Sequence, residues 1–131
     1  MMGVGEMAAA AVALLAPYAA KGAEEVAKKV GSEIGTRVVR LWDVIRAKVA
    51  GSRAAEDLAD FEQAPDDQDN QAALRKELKK ALDADPAFRQ EVAALLGEIE
   101  AKGGRPITQI ANTIGDYNVT TQIAGSGNVV R

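Results

Sequence analysis

Between Ala23 and Ala50 the apolar residues Val26, Ala27, Val30, Ile34, Val38, Leu41, Trp42, Ile45 and Val49 recur every three or four positions, with Lys28, Lys29, Glu33, Arg37, Arg40 and Lys48 mostly between them. That spacing draws one apolar stripe along a helix. A stripe this long needs other helices to cover it, which commits the chain to a helical bundle. Gly31 and Gly35 lie four apart on the same segment, and each costs about 1 kcal/mol relative to Ala in a helix. They either admit a close neighbour or mark a break; close packing is the favoured reading.

The flanking sequence continues in the same style. Met7 to Ala16 is rich in Ala and Leu and predicts a short helix, apolar nearly all round, that stops or kinks at Pro17. Such a helix requires burial in protein or in lipid. Gly51 ends the long helix, and Ser52 is placed to cap the next, which carries Ala55, Leu58, Ala59 and Phe61. The stretch FEQAPDDQDN reads as a loop; Asp66, Asp67 and Asp69 lack the central Gly and terminal Glu of a calcium loop and are read as helix-capping residues. Leu74, Leu78, Ala81 and Leu82 form the stripe of a further amphipathic helix. Asp85-Pro86 is an N-cap followed by proline, opening a last helix with Phe88, Val92, Leu95, Leu96 and Ile99 inward. The fold class expected is mainly α: an antiparallel bundle of four or five helices over residues 1–102, followed by a short β-forming C-terminal tail.

Composition excludes several functions. With 16 Lys and Arg against 19 Asp and Glu the net charge is −3, which offers no footprint for a nucleic-acid backbone. The absence of Cys and His removes disulfides, thiolate metal sites, the usual general base and the usual zinc ligand. Catalysis would fall to carboxylates, Lys, Tyr or Ser32, Ser52 and Ser126, none of them in a recognisable nucleophile and base arrangement, so a non-enzyme without cofactor or metal is expected. The first twenty residues carry only Glu6 as a charge, yet the first basic residue, Lys21, follows the apolar run and does not form the n-region of a secretory signal, and a run that is mostly Ala with Pro17 inside it is expected to fall short of a membrane-spanning helix.

After Gly103 the composition changes. A hinge over residues 103–106 leads into a segment, 107–131, in which Asp116 is the only charge before Arg131. ITQIANTI and NVTTQIA are rich in β-branched and amide residues and predict strands, with GDYN and GSGN as turns. An isolated hairpin is marginal in water. Identical low-charge segments of this kind instead stack as cross-β arrays, with Gln and Asn ladders along the axis. The residues expected in that core are Ile107, Gln109, Ile110, Asn112, Ile114, Gly115, Asn118, Val119, Gln122, Ile123, Gly125, Gly127, Asn128 and Val129. The repeated TQIA supplies two matching rungs per chain. A phosphate loop at Gly125-Ser126-Gly127-Asn128 lacks the following helix that such motifs require. A docked hairpin or a linker is the alternative to self-assembly.

The plan of the chain, from AAAAVALLAPYAAKGAEEVAKKVG to a glycine hinge and a terminal QIAGSGN, resembles the bacterial HeLo-like (Bell) domain proteins with amyloid signalling motifs. Gln122-Ile123 followed by Gly125 and Asn128 is similar to the core of RHIM-like motifs, from which Ala124 departs. The resemblance implies a cytoplasmic effector of programmed cell death in bacterial immunity. An NLR-like receptor with a matching motif nucleates its tail, the tails homo-oligomerise, and the clustered N-terminal helices move to the inner face of the membrane and disrupt it. The membrane-active residues would then be Met7, Val12, Leu14 and Leu15. The competing expectation is an adaptor that self-assembles through the same tail while its first helix is only core. Charged replacements at Leu14 or Leu15 are the substitutions that the sequence suggests for separating the two.

Overall fold

The computed structural model describes residues 3–114, which form seven helices: α1 (Val4–Lys21), α2 (Ala23–Val30), α3 (Ser32–Val49), α4 (Ala54–Gln63), α5 (Gln68–Ala84), α6 (Pro86–Gly103) and α7 (Ile107–Ile114). The mainly helical class is as expected; the number of helices exceeds the four or five expected, for two reasons. The segment 23–50 is two helices rather than one, and residues 107–114, expected as a strand, are helical. Among the described residues there is no strand.

The two glycines of the long segment divide the roles offered as alternatives. At Gly31 the backbone adopts φ 96°, a conformation that L side chains rarely reach, and the helix breaks there. Gly35 lies inside α3, where a Cβ would stand 3.3 Å from both Cα and Cβ of Ala27. The break lets α2 fold back on α3, and the missing side chain at Gly35 lets the two backbones approach. Both glycines thus serve the same corner.

The predicted caps are mostly in place. Asp67 accepts hydrogen bonds from the amides of Asp69 and Asn70 at the start of α5. Asp85 accepts from Ala87 and Phe88 at the start of α6, with Pro86 in the first turn. Ser52 differs from expectation. Its hydroxyl donates back to the Val49 carbonyl at 2.7 Å and closes α3, while α4 begins at Ala54. The turn at Gly51, with φ 78°, aims Ser52 backwards.

α3 and α6 run antiparallel, as their ion pairs show: Glu33 meets Lys102, Arg37 meets Glu98 and Lys48 meets Asp85. Exposed pairs of this kind contribute between nothing and about 1 kcal/mol each, so they set register more than stability. The stability lies in a core of the predicted stripes, including Val38, Leu41, Ile45, Phe61, Leu78, Leu82, Leu96 and Ile99, all buried. Trp42 is held edge-on to Tyr18 at 5.8 Å and tilted against Phe61 at 6.3 Å, with Arg46 over its ring.

Asp85 gives the fold one definite response to acid. The hydrogen bond from Lys48, followed by that from the Phe88 amide, holds its carboxyl below the ordinary carboxylate pKa. A depressed folded-state pKa contributes stability above the unfolded value, and this is lost as pH falls through the folded value. Wild type and Asp85→Asn are therefore expected to differ most in melting temperature near neutral pH and to converge in acid. A difference that stays constant across the acid range would show that the carboxylate charge at Asp85 contributes nothing.

Candidate functional site

α1 is the candidate site, and its sequence explains why it is a helix at all. Eight of its eighteen residues are Ala, the strongest helix former. Glu6 in the first turn accepts from the Gly3 amide at 3.0 Å, and Lys21 sits in the last turn, where each charge complements the helix dipole. Pro17 neither stops nor ends the helix, which continues to Lys21. Proline removes one backbone donor, and here its ring is buried while the next residue, Tyr18, packs on Trp42. Tertiary packing carries the last turn past the missing hydrogen bond.

α1 packs against all six other helices. Its sequence-predicted residues Met7, Val12, Leu14 and Leu15 are all in the core, with Leu14 and Leu15 fully buried. Ala8, Ala10 and Ala11 are buried as well, whereas Gly3, Gly5, Glu6 and Ala9 are exposed on the N-terminal half. At 1.5 Å per residue the helix is about 27 Å long, close to the roughly 30 Å hydrocarbon thickness of a bilayer. With a mean hydropathy of 1.2 over 18 residues, it is long and apolar enough to cross a membrane, and half of its residues are buried inside the fold. Length and composition of this kind are shared by core helices of soluble proteins.

α7 forms part of the cover over α1. Ile107, Ile110, Ala111 and Ile114 are buried, at the i, i+3, i+4, i+7 spacing of one helix face, and the helix packs against α1, α2 and α6. Gln109 and Asn112, expected as ladder amides, are exposed on the outer face. The strand expectation for 107–114 rested on β-branched composition, which the 3.6-residue spacing of the isoleucines outweighs once α1 offers a surface to bury them. Gly103 ends α6 and Gly104, with φ 65°, begins the turn to α7; Glu100 accepts from the Ile107 amide at 3.3 Å, and Thr113 donates to the Gln109 carbonyl.

Gly103 is the residue in this turn that the sequence did not single out for packing. A Cβ there would stand 2.6 Å from Cδ1 and 3.1 Å from Cγ1 of Ile110, and 3.4 Å from Cδ1 of Ile34. A side chain at this position would press on Ile110, whose Cδ1 end would have to move to make room. The remaining residues expected in the cross-β core, Gly115, Asn118, Val119, Gln122, Ile123, Gly125, Gly127, Asn128 and Val129, lie outside the described residues. The structure thus brings together the two expected sites, the first helix and the beginning of the tail, as one packed unit. Comparison with protein-family models, curated proteins and solved structures finds no match for this chain.

Proposed function

We propose that the protein is a membrane-disrupting effector whose first helix is kept in the core at rest and is released when its C-terminal segment assembles. The observation that carries this reading is the packing of α7, the first part of the low-charge tail, directly on α1. Assembly of that tail into cross-β stacks requires residues 107–114 to leave the helical state. Withdrawing them uncovers part of α1.

Magnitudes support a trigger of this kind over spontaneous release. Burying Met7, Val12, Leu14 and Leu15 contributes roughly 6–12 kcal/mol, comparable to the whole stability of a small domain, about 5–15 kcal/mol. α1 therefore stays in the fold unless something removes its neighbours. α7 buries less and has fewer neighbours: its three buried isoleucines contribute about 5–9 kcal/mol, and it packs mainly on α1, α2 and α6 where α1 packs on all six other helices. Clustering many copies on one fibre then raises the effective concentration of released helices at a membrane. The partners in this reading are further copies of the chain, a receptor whose matching segment nucleates the stack, and lipid.

Ala9 provides the test. It is exposed in the folded protein and lies about 5 Å from the midpoint of α1 along the helix axis, so Ala9→Glu leaves the core intact yet places a charge in lipid on insertion. The insertion penalty is about 2–3 kcal/mol per helix, multiplied over the copies that act together. Release of a trapped dye from vesicles by the assembled Ala9→Glu protein is expected to fall at least tenfold, with its melting temperature within a few degrees of wild type. If dye release is unchanged, α1 is only core and the adaptor reading stands.

A further inference from the structure

Most cations on the described surface that have an acidic partner are committed to it. Lys28 faces Glu25, Arg37 faces Glu98, Arg46 faces Glu62, Lys48 faces Asp85 and Lys102 faces Glu33. Among the described residues Arg40 and Arg53 stand singly without such a pair, whereas on α5 the unpaired cations are clustered. Arg75, Lys76, Lys79 and Lys80 fall within six residues and are all exposed, and the one acid among them, Glu77, is taken by Lys80 at 3.6 Å. Arg75, Lys76 and Lys79 make no ion pair among the described residues.

Like charges four residues apart on a helix repel by a few tenths of a kcal/mol, and here Arg75 stands four from Lys79 and Lys76 four from Lys80. A chain with net charge −3 thus keeps a local positive cluster on the exposed side of α5, flanking the buried stripe of Leu74, Leu78 and Leu82. Asp69 and Asp83 mark the two ends of that face. The cluster also has a particular neighbour. A Cβ at Gly5 would lie 3.9 Å from Cε of Lys79, so the lysine stem rests beside the first turn of α1. Across that turn, Arg89 of α6 lines a groove with Gly3, Val4 and Met7, together with the carboxylates Glu6 and Glu100.

We infer that the α5 face bearing Arg75, Lys76, Lys79 and Lys80 is a docking surface for a bilayer rich in anionic phospholipid. Headgroup phosphates take the free cations, and the docked bundle presents the N-terminal end of α1 towards the membrane. Charge complementarity selects an anionic partner, and the adjoining apolar helix selects lipid over a nucleic acid or an acidic protein. Lys side chains suit such a site because their stems lie along apolar surface while the ammonium groups reach the headgroups. The inference rests on the membrane reading of α1 and adds to it the lipid class and the orienting face.

The test uses freshly prepared soluble full-length chain in co-sedimentation with vesicles of phosphatidylcholine alone or with about a third phosphatidylglycerol. Each basic residue near an anionic surface contributes about 1 kcal/mol, so Arg75→Gln/Lys76→Gln/Lys79→Gln is expected to weaken binding to the anionic vesicles about 100-fold. Raising the salt to about 0.5 M, where the Debye length falls to a few ångströms, is expected to do the same to wild type. Lys28→Gln/Arg40→Gln/Arg53→Gln removes equal charge elsewhere and is expected to bind as wild type does. Equal binding to both vesicle types, equal losses in the two triple variants, or displacement by duplex DNA at matched phosphate concentration would each overturn the inference. Dye release in the same vesicles separates this site from the proposed function: selective binding with no release after assembly defeats the effector reading alone, and release unchanged by the α5 substitutions, with binding also unchanged, defeats the docking surface alone.

Discussion

Leu15→Asp is expected to leave the chain without a cooperative thermal transition. Leu15 is fully buried at the centre of a helix that touches every other helix of the described fold. The substitution removes a buried aliphatic side chain, which alone costs about 2–5 kcal/mol, and leaves a carboxyl group with no partner in an apolar core, which adds several more. The sum approaches the whole stability of a domain this size, about 5–15 kcal/mol. Circular dichroism on heating is the measurement. A melting curve like that of wild type would show that α1 is not in the core, and the resting state described above would fail with it. This expectation also removes Leu14→Asp and Leu15→Asp as tests of membrane entry, since loss of dye release in either variant reports loss of folding. Ala9→Glu takes their place because Ala9 is exposed in the fold.

The second large effect is expected at Gly103. Gly103→Val keeps every residue of the 107–131 segment unchanged, so its influence on tail assembly cannot come from altered strand chemistry. Its side chain would enter the space held by Ile110 and Ile34. Overpacking of this kind costs about 1–3 kcal/mol, which lowers the ratio of docked to undocked α7 about 5- to 150-fold. Hydrogen exchange is expected to show the amides of 107–114 losing protection while those of α3 and α6 keep theirs. Thioflavin fluorescence is expected to show a shorter lag before assembly. Should the amides lose protection while the lag stays as in wild type, α7 docking does not restrain assembly, and the coupling of tail to first helix would have to be abandoned.

The membrane reading and the bundle reading of α1 draw on the same residues, and this follows from physical chemistry. Ala and Leu without charge satisfy a helix buried by protein and a helix buried by lipid alike. What separates the two uses is a charge at the exposed positions Gly5 and Ala9, which the folded bundle accommodates and a helix buried in lipid does not. Substitutions at these positions therefore carry the functional information that the buried leucines do not.

Much of the architecture was legible from local signals. The inner stripes of α3, α5 and α6, the caps at Asp67 and Asp85 and the apolar character of α1 all follow from spacing and side-chain chemistry within one or two turns. Pro17 and residues 107–114 differ from expectation because each depends on a partner distant in sequence, and Ser52 differs because the local turn at Gly51 decides which helix it caps. Ser52 turns back to Val49 because Gly51 sets the direction, Pro17 stays helical because its surroundings bury it, and ITQIANTI becomes a helix because α1 covers its isoleucines. By itself the sequence determined that helices form, where most begin, and that the tail differs in kind from the rest. The tertiary structure alone decided that the first stretch of that tail lies folded against the first helix. Strand propensity and helical spacing compete in a segment of five β-branched residues, two amides and Ala111, and burial of Ile107, Ile110 and Ile114 against another part of the chain tips the balance.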